Sequence, residues 1–147
     1  MQPMSTIERM NARFAGTLPG YIGLEILAIE GKHVRAQLAL RPELLAPNGF
    51  LHAASVVALA DTACGFGAAR NLPEGARGFT TIELKTNFLG TAREGTILCA
   101  ATLMHGGRTT QVWDAEVTNA ATGQTIALFR CTQAILYPRP EPGASNG

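Results

Sequence analysis

The segment from His52 to Arg70 constrains the fold of this chain more than any other, because it predicts the longest helix and carries few large side chains. Seven of its nineteen residues are Ala, and Gly65 and Gly67 also lie on it. Small side chains let the backbone of a helix approach its neighbours closely. We therefore expect this helix to be packed tightly inside the protein, with the rest of the chain around it.

Strand patterns lie on both sides of this helix. Apolar runs and alternation of apolar and polar residues predict strands over residues 22–29, 33–40, 79–89, 96–104, 110–118 and 124–137. A short helix is predicted from Ser5 or Thr6 to about Ala15, ended by Leu18-Pro19-Gly20. The order of short helix, two strands, long helix and four strands predicts an α+β fold, in which a curved antiparallel sheet wraps around the central helix.

The length of 147 residues fits one compact domain. We assign residues 1–17 to an N-terminal helix or arm, residues 18–137 to the domain, and residues 138–147 to a disordered tail. Because so small a sheet leaves an edge strand unpaired, we also expect the chain to form a homodimer or a homotetramer.

Asp61 is the strongest candidate for a catalytic residue, because it is the only formally charged residue between His52 and Arg70. Burial of an unpaired carboxylate costs free energy and raises its pKa, which makes it a stronger base. Asp61 is therefore a candidate general base or nucleophile. The structural alternative is an Asp that caps a neighbouring backbone segment or faces solvent.

Asn48, Gly49 and His52 come just before the long helix. The loop and the first helical turn together predict a nest of free backbone N–H groups. Such groups stabilise the oxyanion that forms when a carbonyl is attacked. The simpler interpretation is a common Asn-Gly turn, followed by a polar residue at the start of a helix.

The composition argues against several classes of function. Twelve Lys and Arg residues against eleven Asp and Glu residues leave a net charge of +1, which does not favour nucleic acid as a partner. The three cysteines are widely spaced in apolar runs, which predicts free, buried thiols in a cytoplasmic protein: Cys64, Cys99 and Cys131. No Cys/His cluster or nucleotide-binding loop indicates a metal or a cofactor. The N-terminal residues have no apolar segment of signal-peptide length, and residues 53–69 are too short and too polar for a membrane span.

Two blocks of sequence resemble a known family, the hotdog-fold acyl-CoA thioesterases of the phenylacetate-pathway (PaaI-like) type. The first is NGFLHAASVVALADTA, residues 48–63, which is similar to the family pattern G-x-x-H-G-G-x-x-x-x-L-x-D-x-A. The second is TIELKTNFLGTAREG, residues 81–95, which is similar to the strand and exit turn that follow in the family. Hairpin positions at Gly107-Arg108 and Thr122-Gly123 extend the resemblance over roughly residues 18 to 137.

The resemblance implies the roles of individual residues. Asp61 would attack the thioester or activate water, and the backbone N–H of Ala53, just after His52, would polarise the thioester carbonyl. Thr81 would help to hold the water or the carboxylate. The site would lie at a dimer interface, with the carboxylate and the helix N-terminus from different subunits. CoA would lie along the surface, with its acyl chain inserted between the subunits.

This sequence departs from the family pattern at two places. Ala53 and Ala54 stand where the family has paired glycines, so a backbone donor is kept but the added methyl groups narrow the carbonyl pocket. Ala46 stands where the family often has an amide side chain six residues before the His, and the nearest amide is Asn48. Either Asn48 takes over this contact through a shifted loop, or the contact is missing.

Strand alternation gives a further expectation for Thr81. It places Thr81 on the face opposite to Ile82, Leu84 and Phe88, which look like the core face of their strand.

Two other functions are compatible with the same fold. Hydratases and dehydratases of acyl thioesters often have a His five residues after the Asp, but position 66 is Phe here, which argues against them. A non-catalytic module that binds acyl-CoA is the second alternative, which the departures at Ala46, Ala53 and Ala54 leave open.

Overall fold

The computed structural model describes residues 2–140, which form three α-helices, a short 3-10 helix and six β-strands. The helices are α1 (Thr6–Ala12), α2 (Leu18–Ile22) and α3 (Ala53–Arg70), and the 3-10 helix covers Pro42–Leu44. The strands are β1 (Leu24–Glu30), β2 (His33–Ala39), β3 (Gly78–Phe88), β4 (Thr96–Gly106), β5 (Thr110–Asn119) and β6 (Thr125–Leu136).

The six strands form one antiparallel sheet in the order β1-β2-β4-β5-β6-β3. Helix α3 packs on one face of this curved sheet and contacts all six strands. The predicted α+β hotdog fold is therefore confirmed, and α3 begins and ends within one residue of the prediction. Strand β3 forms one edge of the sheet, so its outer backbone groups have no neighbouring strand within residues 2–140.

The small residues of α3 allow the close packing that the sequence predicts. Leu59, Ala60, Ala63 and Cys64 have no exposed surface. At Gly67, a Cβ atom would lie 2.4 Å from the ring of Trp113 on β5, which leaves no room for a side chain. Gly67 thus lets the largest side chain of the core lie directly against the helix backbone.

The N-terminal segment differs from its prediction. Helix α1 ends at Ala12 rather than near Ala15, and Leu18-Pro19-Gly20 begins α2 instead of ending a longer helix. The position of Pro19 explains the difference, because proline needs no N–H partner in the first turn of a helix. The arm is also tied to the sheet, because the Asn11 side chain donates to the Ile26 carbonyl at 3.0 Å and accepts from its N–H at 2.8 Å.

The strand ends agree with the predictions to within about two residues, and β1 starts at Leu24 because Ile22 belongs to α2. Of the predicted tail, residues 138–140 have no regular secondary structure, and residues 141–147 lie outside the described residues.

The three cysteines are free and buried, as predicted. In the described range, no helix is both long and apolar enough to cross a membrane. Residues 2–140 also contain no group of three or more His, Cys, Asp and Glu side chains that could hold a metal ion.

Candidate active site

The start of α3 is held by side-chain and backbone hydrogen bonds. His52 is the N-cap, and its Nδ1 accepts from the N–H of Ala54 at 2.9 Å. The hydroxyl of Ser55, which is buried, donates to the carbonyl of Leu44 at 2.8 Å and ties the helix to the preceding loop. The N–H of Ala53 lies at the first helical position, where no intrahelical acceptor exists, and Ala53 is exposed. This N–H is therefore available to an incoming carbonyl oxygen.

Asn48 has a local role in the loop before the helix. Its side-chain oxygen accepts from the N–H of Phe50 at 3.2 Å, and Gly49 adopts a positive φ of 84° beside it. Asn48 is exposed. The Asn-Gly turn of the simpler sequence interpretation is thus present.

Asp61 lies in the middle of α3 and is partly buried. Its Oδ1 is buried and has no hydrogen-bond partner among residues 2–140. Burial also raises the pKa of this carboxyl above its ordinary value. A buried acceptor without a partner costs folding free energy, so the geometry offers no structural reason for this Asp. No backbone N–H of the described chain donates to Oδ1, so this oxygen gives no support to the alternative in which Asp61 caps a backbone segment.

A cavity of about 450 Å³ lies beside Asp61. Its walls are formed by the segment after α1, the start of α2, helix α3 and the start of β3. Aromatic rings supply much of its apolar surface, with Phe14 and Phe66 packed edge to face at 5.1 Å between centroids and Phe79 opposite them on β3. Thr81 lines the same cavity, so the structure brings Asp61 and Thr81 together.

The prediction that Thr81 lies on the face of β3 opposite to Leu84 is wrong, because the strand contains a β-bulge. Thr81 pairs with Gln133 and Glu83 pairs with Thr132, which leaves Ile82 without a partner of its own on β6. The extra residue shifts the alternation by one position. As a result, Thr81 lies on the helix-facing side of β3, together with Leu84, which pairs with the buried Cys131.

The expected core face of β3 is also largely uncovered within one chain. The relative exposure is 61% for Ile82, 42% for Leu84 and 48% for Phe88. These values are high because β3 is the edge strand, and α3 contacts it less than the central strands. These exposed apolar side chains belong to the strand whose start lines the Asp61 cavity.

A single chain does not bring all of the predicted site residues together. Asp61 follows Ala53 by eight residues, so the two positions are about 12 Å apart along the helix axis at about 1.5 Å per residue. His52 lines a different cavity, of about 360 Å³, with Tyr21, Leu44 and Ala58. One thioester carbon therefore cannot contact Asp61 and the Ala53 N–H of the same helix.

Several residues in and around the Asp61 cavity were not predicted from the sequence. Arg13, Phe14 and Thr17 come from the N-terminal segment, whose path over α3 cannot be seen in the sequence. Gln133 is hydrogen-bonded to Thr81 at 2.8 Å and fully buried. A signal for Gln133 was present, because it is the polar member of the inward-facing series Phe129, Cys131, Gln133 and Ile135 on β6.

A larger cavity, of about 650 Å³, lies on the outer face of the sheet. Its lining includes the Asp114 and Arg130 side chains, which are paired by a hydrogen bond of 2.8 Å. It lies on the face opposite to α3 and Asp61, so it is not part of the candidate site.

Comparison with known proteins gives a consistent result. Residues 48–126 match the family model described as the thioesterase superfamily. A 1,4-dihydroxy-2-naphthoyl-CoA hydrolase of Listeria monocytogenes is 32% identical over 118 residues, which cover 80% of this chain and 94% of the relative.

Solved structures show the same fold. A thioesterase of Haemophilus influenzae superposes with a TM-score of 0.84 at 24% identity, over 92% of this chain and 93% of that one. The PaaI protein of the phenylacetic acid degradation operon of Escherichia coli gives a TM-score of 0.75 at 22% identity, over 86% and 90% of the two chains. The resemblance seen in the sequence is confirmed.

Proposed function

This chain belongs to the thioesterase superfamily and is a thioester hydrolase, and we propose that it cleaves acyl-CoA thioesters with Asp61 as the catalytic carboxylate and the Ala53 N–H as the donor to the carbonyl. One observation carries the proposal. The buried Oδ1 of Asp61 has no hydrogen-bond partner in the described chain, and the residue lines a cavity that also contains aromatic rings. Burial raises the pKa of this carboxyl and makes the carboxylate a stronger base.

The reaction needs no group beyond the protein, the thioester and water. Asp61 removes a proton from water, and the water oxygen forms a bond to the thioester carbon. The negative charge on the carbonyl oxygen is stabilised by the Ala53 N–H at the helix N-terminus. When the carbon–sulfur bond breaks, the CoA thiolate takes up a proton, so the products are a carboxylic acid and free CoA.

We infer that each site is shared by two subunits. Asp61 and the Ala53 N–H of one helix are about 12 Å apart along its axis, which is too far for one thioester group. β3 is an edge strand that carries the exposed Leu84 and Phe88, and its start lines the Asp61 cavity. A second copy paired along β3 would cover this surface and could supply the helix N-terminus.

A cytoplasmic location is also inferred, which the three free thiols favour.

The shared site predicts that Leu84→Asp separates the subunits and abolishes hydrolysis. The substitution places like charges on the proposed two-fold interface, where they repel each other and would have to be desolvated. Sedimentation at micromolar concentration should show a dimer or tetramer for the wild type and a monomer for this variant. Leu128→Asp is the matched control, because Leu128 is 47% exposed but lies on the outer face of the sheet. A monomeric wild-type protein with full activity would contradict the shared site.

A panel of acyl-CoA thioesters tests the function itself. The aromatic lining of the cavity and the aromatic acyl group in the name of the Listeria relative favour aromatic substrates. We expect release of free CoA, measured with a thiol reagent, to be fastest for aromatic acyl groups, compared with short-chain and long-chain ones. Binding without release across the whole panel would instead identify a non-catalytic acyl-CoA-binding module.

A further inference from the structure

Gln133 is one of the few polar residues in the core of the described chain. It has no exposed surface, although it lies between the buried Cys131 and Ile135 on the inner face of β6. Its cross-strand partners are Thr81 on β3 and Gln111 on β5. Burial of an amide is costly unless both of its ends are hydrogen-bonded, so the partners of Gln133 are informative.

Both ends of the Gln133 amide are engaged. Its Oε1 accepts from the hydroxyl of Thr81 at 2.8 Å, and its Nε2 donates to the sulfur of Cys131 at 3.4 Å. Cys131 is a free, buried cysteine, and its sulfur is a weak acceptor that matches the amide N–H group of Gln133.

The hydrogen bond to Gln133 determines which further hydrogen bond the Thr81 hydroxyl can form. A threonine hydroxyl has one proton to donate and two lone pairs with which to accept. Since its proton is directed to Gln133 Oε1, the Thr81 oxygen can only accept a hydrogen bond in the cavity that it shares with Asp61. It therefore cannot donate to the Asp61 carboxylate.

We propose that Gln133 is a positioning residue, which acts by holding the Thr81 hydroxyl as an acceptor for the attacking water; this inference rests on the proposed hydrolysis. The water donates one hydrogen bond to Thr81 and transfers its other proton to Asp61. Its oxygen lone pair then points away from both groups and toward the thioester carbon. The Asp61 carboxylate, whose Oδ1 has no partner among the described residues, takes up this proton, and in this proposal the water oxygen forms the new bond to carbon.

Gln111 is a matched control for the positioning role of Gln133. Gln111 is also fully buried and lies on the same rung of the sheet, as the cross-strand partner of Gln133. Its amide accepts from the indole N–H of Trp113 at 2.8 Å and donates to the carbonyl of Asn71 at 2.7 Å. It contacts neither Thr81 nor the Asp61 cavity among the hydrogen bonds and lining residues of the described chain.

A double-mutant cycle tests the proposal through kcat. Gln133→Met removes the acceptor while keeping the side-chain length, and should lower kcat about 10-fold or more with little change in KM, because the water is no longer held in place. In a Thr81→Val background, Gln133→Met should change kcat less than about twofold, because the hydroxyl through which Gln133 acts is absent. Gln111→Met should lower the melting temperature and leave kcat near that of the wild type.

Two outcomes would overturn the role of Gln133. One is a folded Gln133→Met variant with the kcat of the wild type, and the other is an equal loss of kcat in the presence and absence of the Thr81 hydroxyl. A wild type that hydrolyses no thioester would instead overturn the proposed function.

If Gln133→Met fails to fold, a measurement on the wild type still tests the attack by water on which the proposal depends. Turnover in ¹⁸O-water should place the label in the carboxylic acid in the first turnover and leave the peptide that contains Asp61 unlabelled. Label in that peptide would show that Asp61 attacks the thioester itself, which contradicts a water held by Thr81.

Discussion

Asp61→Asn is expected to keep the fold and to lower kcat by about 10²–10⁴, the usual contribution of a general base. The amide is nearly isosteric with the carboxylate but cannot take up the proton of the attacking water. Substrate binding should be retained, because Asp61 is one of eleven residues that line the cavity. The measurement is steady-state hydrolysis of the best acyl-CoA from the panel, by the variant and the wild type.

The stability of this variant should equal or exceed that of the wild type near neutral pH. Burial raises the pKa of Asp61 in the folded state above its value in the unfolded chain. The folded state is therefore penalised as the pH rises above the unfolded pKa, and the full penalty is present above the folded pKa. Asn removes this penalty, so thermal melting at pH 7 should show no loss. A variant that unfolds would show instead that Asp61 is a structural residue.

Asp114→Asn is the matched control, because Asp114 is the only other Asp in the sequence and lies on the outer face of the sheet. It loses the pairing with Arg130 but should keep kcat unchanged. The pH profile gives a second readout, in which kcat of the wild type falls as the pH drops through the raised pKa of Asp61. A folded Asp61→Asn variant with wild-type kcat would place the catalytic group elsewhere.

The central helix and the positions of the strands along the chain could be predicted because their signals are local. The Ala and Gly content between His52 and Arg70 indicated close packing, and Gly67 against Trp113 shows why it is needed. The lone carboxylate in this segment likewise identified Asp61 as the candidate before its surroundings were known. Local signals of this kind depend on side-chain size, charge and periodicity, which are all read directly from the sequence.

Other features depend on contacts between distant parts of the chain. The bulge at Ile82 arises from the pairing of β3 with β6, and it moved Thr81 to the face opposite to the one that alternation predicts. Arg13 and Phe14 line the cavity because the N-terminal arm packs against the sheet, where the Asn11 side chain is hydrogen-bonded to Ile26 of β1. Thr81 and Gln133 are separated by 52 positions in the sequence, so their hydrogen bond has no local signal.

Ala53→Pro is expected to lower kcat by about 10²–10³, the usual cost of losing one oxyanion donor. Proline has no backbone N–H, so the substitution removes only the proposed donor to the carbonyl oxygen. The fold should survive, because proline is favoured in the first turn of a helix. His52 already has φ of −67° and ψ of 134°, which is the extended conformation that a residue before proline prefers.

Ala53→Gly is the control for this variant, because it keeps the N–H and restores the residue of the family pattern, and it should retain activity. Full activity in a folded Ala53→Pro protein would assign the donor to another group.

The shared site adds a sharper expectation for mixtures of two variants. When Asp61→Asn and Ala53→Pro subunits are mixed, each heterodimer contains one site with an intact Asp61 and an intact Ala53 N–H. Random exchange should therefore restore roughly a quarter of wild-type activity from two inactive proteins. Two sites that are each complete within one chain would give no such recovery.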